Sequence, residues 1–373
     1  MRGLSASGLS LVMLALGVTG CVGDTGPTEP DANSGGGIPL PTSGAMTGSE
    51  GTDAVGDDDD DEEKLDVAMG SGGIPCAEGG DCGECVPLEH TPCDGAADNM
   101  ISAIGLNCPG EHSVEVTSFG NPAAMAVRTG FGNTNTWAPT EGSAFAVLGS
   151  GFTTELDSET PVLDSDAGPT FCNDDLGADY DMGTMLPAPI QATDVGGDCS
   201  ENDGLLGTGD CSNTIEGQFS QGGAANDYTE LRVVADVPNS SNSVSYDFAF
   251  FSTEYPFYFG STFNDMYVGW LESESWTGNI SFDNQGNPIS LNAGFLDFTD
   301  DGGTIPEFAG TCMRQHAGTR WLNSTAPVTP GETITLVFAV FDLSDSILDS
   351  YVFLDNFGWG CDGEDTPSTN PIG

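Results

Sequence analysis

Ser243-Val244-Ser245-Tyr246-Asp247-Phe248-Ala249-Phe250-Phe251 (SVSYDFAFF) decides how this chain is read. Val244, Tyr246, Phe248 and Phe250 alternate with Ser245, Asp247 and Ala249, the two-residue period of a strand with one buried face. A second stretch, Thr333 to Phe341 (TITLVFAVF), is apolar on both faces and reads as a central strand. Working outward, Ala144–Leu148, Leu231–Val237, Met266–Leu271, Ile289–Ala293 and Tyr351–Asp355 carry the same signal between Gly, Asn, Asp and Pro punctuation. Helical spacing occurs once, in Asp94 to Leu106, where Met100, Ile101, Ile104 and Leu106 follow an acidic start. Many short strands and little helix predict an all-β fold, a β-sandwich or jelly roll with one short N-terminal helix.

The core has a sharp boundary. All 20 Phe, 7 Tyr and 5 Trp lie between Phe119 and Trp359, so the first 118 residues serve another purpose. Arg2 precedes an apolar run from Leu9 to Val18, too short to span a bilayer but suited to a secretory signal. It ends in Val18-Thr19-Gly20-Cys21, which resembles the lipobox of bacterial lipoproteins and implies a lipid on Cys21. Val22 rather than Asp after the cysteine points to the outer membrane. Residues 22–75 hold no aromatic and no cysteine; they are Gly, Asp, Thr, Pro and Ser-rich, with seven consecutive acids from Asp57 to Glu63. Such a segment buries too little apolar surface to offset its ordering entropy and reads as a disordered, self-repelling tether.

The expected organisation is therefore a signal peptide at 1–20 and a lipidated cysteine with tether at 21–75. A Cys-rich neck with a short helix follows at 76–110, and a β module at 111–361 carries a Cys-containing insertion at 151–228. A disordered tail completes the chain at 362–373. The formal net charge is -52, from 6 Lys+Arg against 58 Asp+Glu, which leaves no basic surface for nucleic acid. Beyond Cys21, ten cysteines remain: Cys76, Cys82, Cys85, Cys93, Cys108, Cys172, Cys199, Cys211, Cys312 and Cys361. An even number in an exported chain reads as disulfides, with connectivity open. Cys82-Gly-Glu-Cys85 near Cys76, Cys93 and His90 has zinc-like spacing, but no second Cys-x-x-Cys follows it.

A connected set of phrases sits in the C-terminal half. These are Phe250-Phe251-Ser252-Thr253-Glu254-Tyr255-Pro256, Gly260-Ser261-Thr262-Phe263-Asn264-Asp265, Gly278-Asn279-Ile280-Ser281-Phe282 and Asn287-Pro288-Ile289-Ser290-Leu291-Asn292. With Phe338-Ala339-Val340-Phe341-Asp342 and Asp349-Ser350-Tyr351-Val352-Phe353-Leu354-Asp355-Asn356, they resemble the choice-of-anchor L domain from about Ile101 to Trp359. The resemblance implies a β-rich bacterial module, exported and held at the surface by whatever anchor its host chain carries. It brings no catalytic residues with it.

Two constellations could carry chemistry. Asp342, Asp345 and Asp349, with Asp355 beyond, place carboxylates in and beside a loop between strands, as Ca2+ requires of oxygen ligands. The competing reading is an acidic turn whose side chains bond to backbone amides. Glu254 and Asp265 flank an aromatic loop containing Tyr255 and Tyr258, a candidate ligand site. The same two carboxylates are a candidate pair for a glycan or peptide hydrolase. His90, His112 and His316 fit no nucleophilic triad or zincin pattern and are expected at the surface. The function expected is a surface-exposed, lipid-anchored adhesion module without catalysis, stiffened by calcium, that binds a glycan or protein; a hydrolase and a passive coat or spacer are the alternatives.

Overall fold

The computed structural model describes residues 85–86, 89–95, 99–111, 113–158, 172–212, 215–300, 305–362 and 364–372. The signal segment, Cys21, the tether, Cys76, Cys82 and His112 lie outside the described residues. The strands begin with β1 (Glu115–Phe119), β2 (Met125–Arg128), β3 (Phe145–Gly149), β4 (Ala225–Asp236) and β5 (Ser243–Ser252). They continue with β6 (Met266–Glu272), β7 (Thr277–Asn279), β8 (Ile289–Ser290), β9 (Phe298–Thr299) and β10 (Ala317–Gly318). Four more complete the set: β11 (Leu322–Pro327), β12 (Thr333–Leu343), β13 (Ser350–Gly360) and β14 (Ser368–Pro371).

All pairings between these strands are antiparallel. One sheet runs β1-β4-β12-β6-β7 with β8 on β6; the other runs β14-β11-β5-β13-β3-β2 with β10 joining β5 to β9. Between them lies the main core, where Tyr246, Phe248 and Phe250 of β5 meet Phe338 and Val340 of β12. The fold is a β-sandwich, and β12 is central as its two-sided apolarity predicts, bonded to β4 on one side and β6 on the other. Full burial of each such aromatic is worth about 1.5–3 kcal/mol.

The outer faces depart from the sequence reading. The face of β5 opposite the core is covered as well, with Ala249 and Phe251 packed against Phe131, Trp137, Phe308 and Phe353. On the other sheet, Val268, Trp270, Val337 and Phe341 lie under Ile190, Ile215 and Phe219. The described part of the 151–228 insertion contributes Leu156 and Cys172 to the first of these clusters and Ile190, Ile215 and Phe219 to the second, while Phe131, Trp137 and Phe308 of the first lie outside it. Its Thr153–Asp157 turn lies by one sheet and helix α2 (Glu216–Gly222) packs on the other through Phe219. Alternation alone does not reveal this, because small residues such as Ala249 pack beneath a loop as well as large ones do.

Three further expectations change. The helix predicted from Asp94 to Leu106 is only α1 (Met100–Ala103), preceded in chain order by the cap Asn99. Asp94 does not start it; its carboxylate accepts from the backbone N–H groups of Ser143 and Ala144 at 2.5 and 2.6 Å. The tail at 362–373, expected to be disordered, supplies β14, which pairs with β11 from Leu322↔Pro371 to Thr325↔Ser368. The strand expected at Ile289–Ala293 stops at Ser290. Among the described residues, four disulfides join Cys85 to Cys361, Cys93 to Cys108, Cys172 to Cys312 and Cys199 to Cys211. With Cys85, Cys93 and Cys108 so bonded, a zinc site using them is ruled out.

Candidate functional site

Strand pairing brings the predicted loops to one end of the sandwich. Ser350 opposes Ser252, Tyr351 opposes Gly149, Phe341 opposes Met266 and Leu343 opposes Ala225. The turns leaving or entering β3, β4, β5, β6, β12 and β13 therefore converge.

The loop from Thr253 to Asp265 rises from this end. The Tyr258 N–H donates to the Glu254 carbonyl at 3.0 Å, and the Gly260 N–H donates to Asn292 Oδ1 at 2.6 Å. Gly260 has φ +80°, a conformation that favours glycine, so the turn is built for this residue. His316 Nδ1 lies 2.5 Å from the Tyr255 carbonyl, which fixes the tautomer as Nδ1–H donating. His316 is buried, against the surface position expected, and burial pushes its pKa down to about 4. Tyr255 packs edge-on to Phe259, and Tyr258 edge-on to Phe263.

The sequence-predicted ligand residues divide here. Tyr255 and Tyr258 are half-buried. Glu254 and Asp265 are each 1% exposed and cannot meet a dissolved ligand without movement. The loop's exposed rings are Phe257 at 55% and Phe259 at 56%; neither had been singled out as a site residue, and only exposure distinguishes them from their neighbours. Ile347, on the turn after β12, is also exposed.

Below the loop is a group of buried carboxylates. Asp265 accepts from the Leu343 N–H at 3.2 Å and the Ser350 hydroxyl at 2.6 Å. Asp349 accepts from the Asp174 N–H at 3.1 Å and the Tyr351 hydroxyl at 3.1 Å. Asp227 accepts from the Leu176 N–H at 2.9 Å through one oxygen only. Asp342 is wholly buried, and neither of its oxygens has a hydrogen-bond partner. Burial raises the pKa of all of them: Asp227 to about 7, Asp265 to about 8, Glu254 to about 11, and Asp342 and Asp349 well above the usual carboxylate range. Repulsion from neighbouring acids adds to desolvation at each of these groups.

The four acids expected to share an ion do not all meet. Asp342 and Asp349 lie together, and Asp345 is half-buried near Glu254 and Asp265. Asp355 stands apart, five residues along β13 from Ser350, or about 17 Å at strand spacing. Its Oδ2 accepts from the N–H groups of Thr140 and Glu141 and from the Thr140 hydroxyl, and its Oδ1 from the Asn356 N–H. The acidic-turn reading thus describes Asp355. Asp227, in the stretch taken for a Cys-rich insertion, joins the group without having been foreseen. It has φ +49°, uncommon for a residue other than glycine, but nothing local in Ala225-Asn226-Asp227 marks it as a partner of Asp342.

Two other places are set aside by their geometry. His90, Cys108 and Glu111 bring potential ligand atoms within 4.8 Å, but Cys108 is disulfide-bonded. The His90 ring contacts Glu111 through Nδ1 and Glu141, at 2.9 Å, through Nε2, so both of its nitrogens are already engaged by carboxylates. A groove lined by Met185, Leu186, Ile190, Gln191 and Phe219 lies beside α2 and holds none of the expected site residues. Among the described residues, no helix is long and apolar enough to cross a membrane.

No curated protein matches the chain. Among solved structures, TmCBM61 in complex with beta-1,4-galactotriose is similar at 8% identity and a TM-score of 0.22, over 66% of this chain and 88% of that one. At that score the likeness supports no inference about this chain. Residues 190–358 match the family model of the choice-of-anchor L domain, a narrower span than the 101–359 read from the sequence. The chain carries a choice-of-anchor L domain.

Proposed function

We propose that this chain is an exported, surface-anchored binding protein: lipidated at Cys21, attached to the outer membrane, and engaging an extracellular ligand through the tip of the 253–265 loop without catalysis. The observation that carries this reading is the exposure of Phe257 and Phe259 on a loop whose two ends, Glu254 and Asp265, are buried. Exposed rings held on a fixed base are the usual anchors of recognition, because they bury large area while losing little conformational freedom. The ligand we expect presents a ring-shaped or apolar face, as glycans and many extracellular proteins do. With a net charge of -52, the chain would repel strongly anionic partners at low salt.

The hydrolase alternative needs Glu254 and Asp265 within reach of a substrate, and their burial argues against it. The test is an array of glycans and extracellular proteins probed with the full chain and with a Phe257→Ser, Phe259→Ser variant. Saturable binding, weakened at least about tenfold in the variant with the melting temperature held, supports the reading. No saturable partner would leave a passive spacer. Turnover of a polysaccharide that vanishes in Glu254→Gln would replace binding with hydrolysis.

A further inference from the structure

Asp227, Asp265, Asp342 and Asp349 come from four separate places: the start of β4, the residue before β6, the end of β12 and the residue before β13. All are at most 1% exposed. No ion pair among the described residues involves them; Arg128, Arg232 and Arg320 are bonded to Asp157, Glu230 and Asp297. Gathering unneutralised carboxylates out of water costs several kcal/mol for each charge.

Protonation alone does not resolve this arrangement. A neutral carboxyl still has an O–H that must donate and a C=O that should accept, and leaving both unmade in the interior is costly. Asp342 has neither, since both of its oxygens are buried without a partner. Asp227 Oδ2 is likewise unpartnered. The Ser150 hydroxyl and the Asp265 carboxyl face Asp342 without reaching hydrogen-bond geometry, and Asp349 and Asp227 complete its charged surroundings. The backbone makes room for this. A Cβ on Gly151 would lie 1.6 Å from Asp349 Oδ2, so only glycine lets the β3 turn close over that carboxylate.

We propose that Asp227, Asp265, Asp342 and Asp349, with the Ser150 hydroxyl, form a divalent-cation site centred on the unpartnered carboxylate of Asp342, and that its occupant is Ca2+. The donors are all hard oxygens with no nitrogen or sulfur among them, which disfavours zinc. They are spread over strand ends and turns, which suits the 6–8 flexible ligands of calcium better than the strict octahedron of magnesium. The set differs from the one expected from sequence spacing: Asp345, which is only half-buried, and Asp355 are excluded, and Asp227 and Asp265 enter. Both exposed turns of this end, 253–265 and 344–349, rise from the site, so the ion would fasten the base of the aromatic loop. The site itself does not depend on the binding role proposed above.

The test uses the full chain with disulfides intact, stripped with EDTA and returned to Ca2+ or Mg2+. Bound metal is counted by elemental analysis and affinity measured by calorimetry. The expected result is one tightly held Ca2+ per chain, with a melting temperature raised by ~5–10 °C at a hundredfold excess over the dissociation constant and less by Mg2+. Asp342→Asn and Asp227→Asn should each weaken Ca2+ by at least about tenfold, while Asp355→Asn should leave the affinity unchanged. If Asp342→Asn does not fold, Asp227→Asn and the wild-type stoichiometry decide. A stripped wild type that takes up no Ca2+ overturns the proposal. So does a wild-type affinity that persists in both site variants, which would assign the ion to another acidic segment such as Asp57 to Glu63.

Discussion

Asp355 on β13 and Asp342 on β12 meet the same difficulty in opposite ways. Both are buried to 1% or less in a strand of the sandwich. Around Asp355 the chain supplies donors: Thr140 and Glu141 turn their N–H groups toward it, and Thr140 adds its hydroxyl. Around Asp342 it supplies more acid, and the Ser150 hydroxyl that faces it bonds to neither carboxylate oxygen. A carboxylate surrounded by amides is a structural tie that holds the 140–141 turn against β13. One surrounded by carboxylates has its requirement met only by something outside the chain. Burial and an acidic residue type are common to both; the neighbours decide the role.

The largest expected effect that would separate these neighbourhoods comes from the disulfides. Cys172–Cys312 holds the segment whose Asp174 and Leu176 N–H groups donate to Asp349 and Asp227. Cys85–Cys361 lies beyond the far end of β13. Replacing either pair with serine should cost about 2–5 kcal/mol of stability. Only Cys172→Ser, Cys312→Ser should also diminish the calcium-dependent rise in melting temperature. Equal loss of that rise in both double variants would show that the two ends are not independent.

A smaller effect tests the donor-satisfied side. Burial raises the Asp355 pKa to about 7 in spite of its hydrogen bonds. The folded state then holds a proton that the unfolded state, with a carboxyl near 3.9, gives up. Stability from this group rises as pH falls from about 8 toward 5 and is lost as pH climbs through 7. The difference in melting temperature between wild type and Asp355→Asn should therefore move in favour of wild type on acidification. A difference that stays flat from pH 8 to 5 would mean Asp355 titrates as if it were in water.

How much of this was legible beforehand follows from what a linear pattern can hold. The strands were, because their period of two is local: every expected strand appears, although β4 and β13 run longer than Leu231–Val237 and Tyr351–Asp355. The aromatic loop was also legible, since Glu254 to Asp265 is continuous. The covered outer faces were not, because Phe219 and Phe308 lie in segments with no strand period, and their partners are set by tertiary packing. The carboxylate group was half legible. Asp342 and Asp349 share one turn, but Asp227 reaches them only because β4 pairs with β12, and Asp355 leaves them because five strand residues carry it away.

The smallest effect concerns a third way of burying an ionisable group, which is to keep it neutral. His316 donates from Nδ1 to the Tyr255 carbonyl, beside Asp300, and its interior position favours the uncharged ring. With a folded pKa of about 4 against 6.5, protons bind the unfolded state first, so the stability His316 contributes is full above pH 6.5 and is lost as pH falls toward 4. In an NMR titration His316 should therefore hold its neutral chemical shifts down to about pH 4, without a large change in melting temperature near neutrality. The same proton should matter at the loop. Charging the ring breaks no bond to the Tyr255 carbonyl, since Nδ1 still donates, but it places an unsolvated charge beneath the base of Phe257 and Phe259. Ligand affinity should thus survive to pH 5 and fail only where the His316 signal moves. Loss of affinity around pH 6.5, with His316 titrating there, would show that the loop base is open to water and that the contrast among these buried groups does not extend to it.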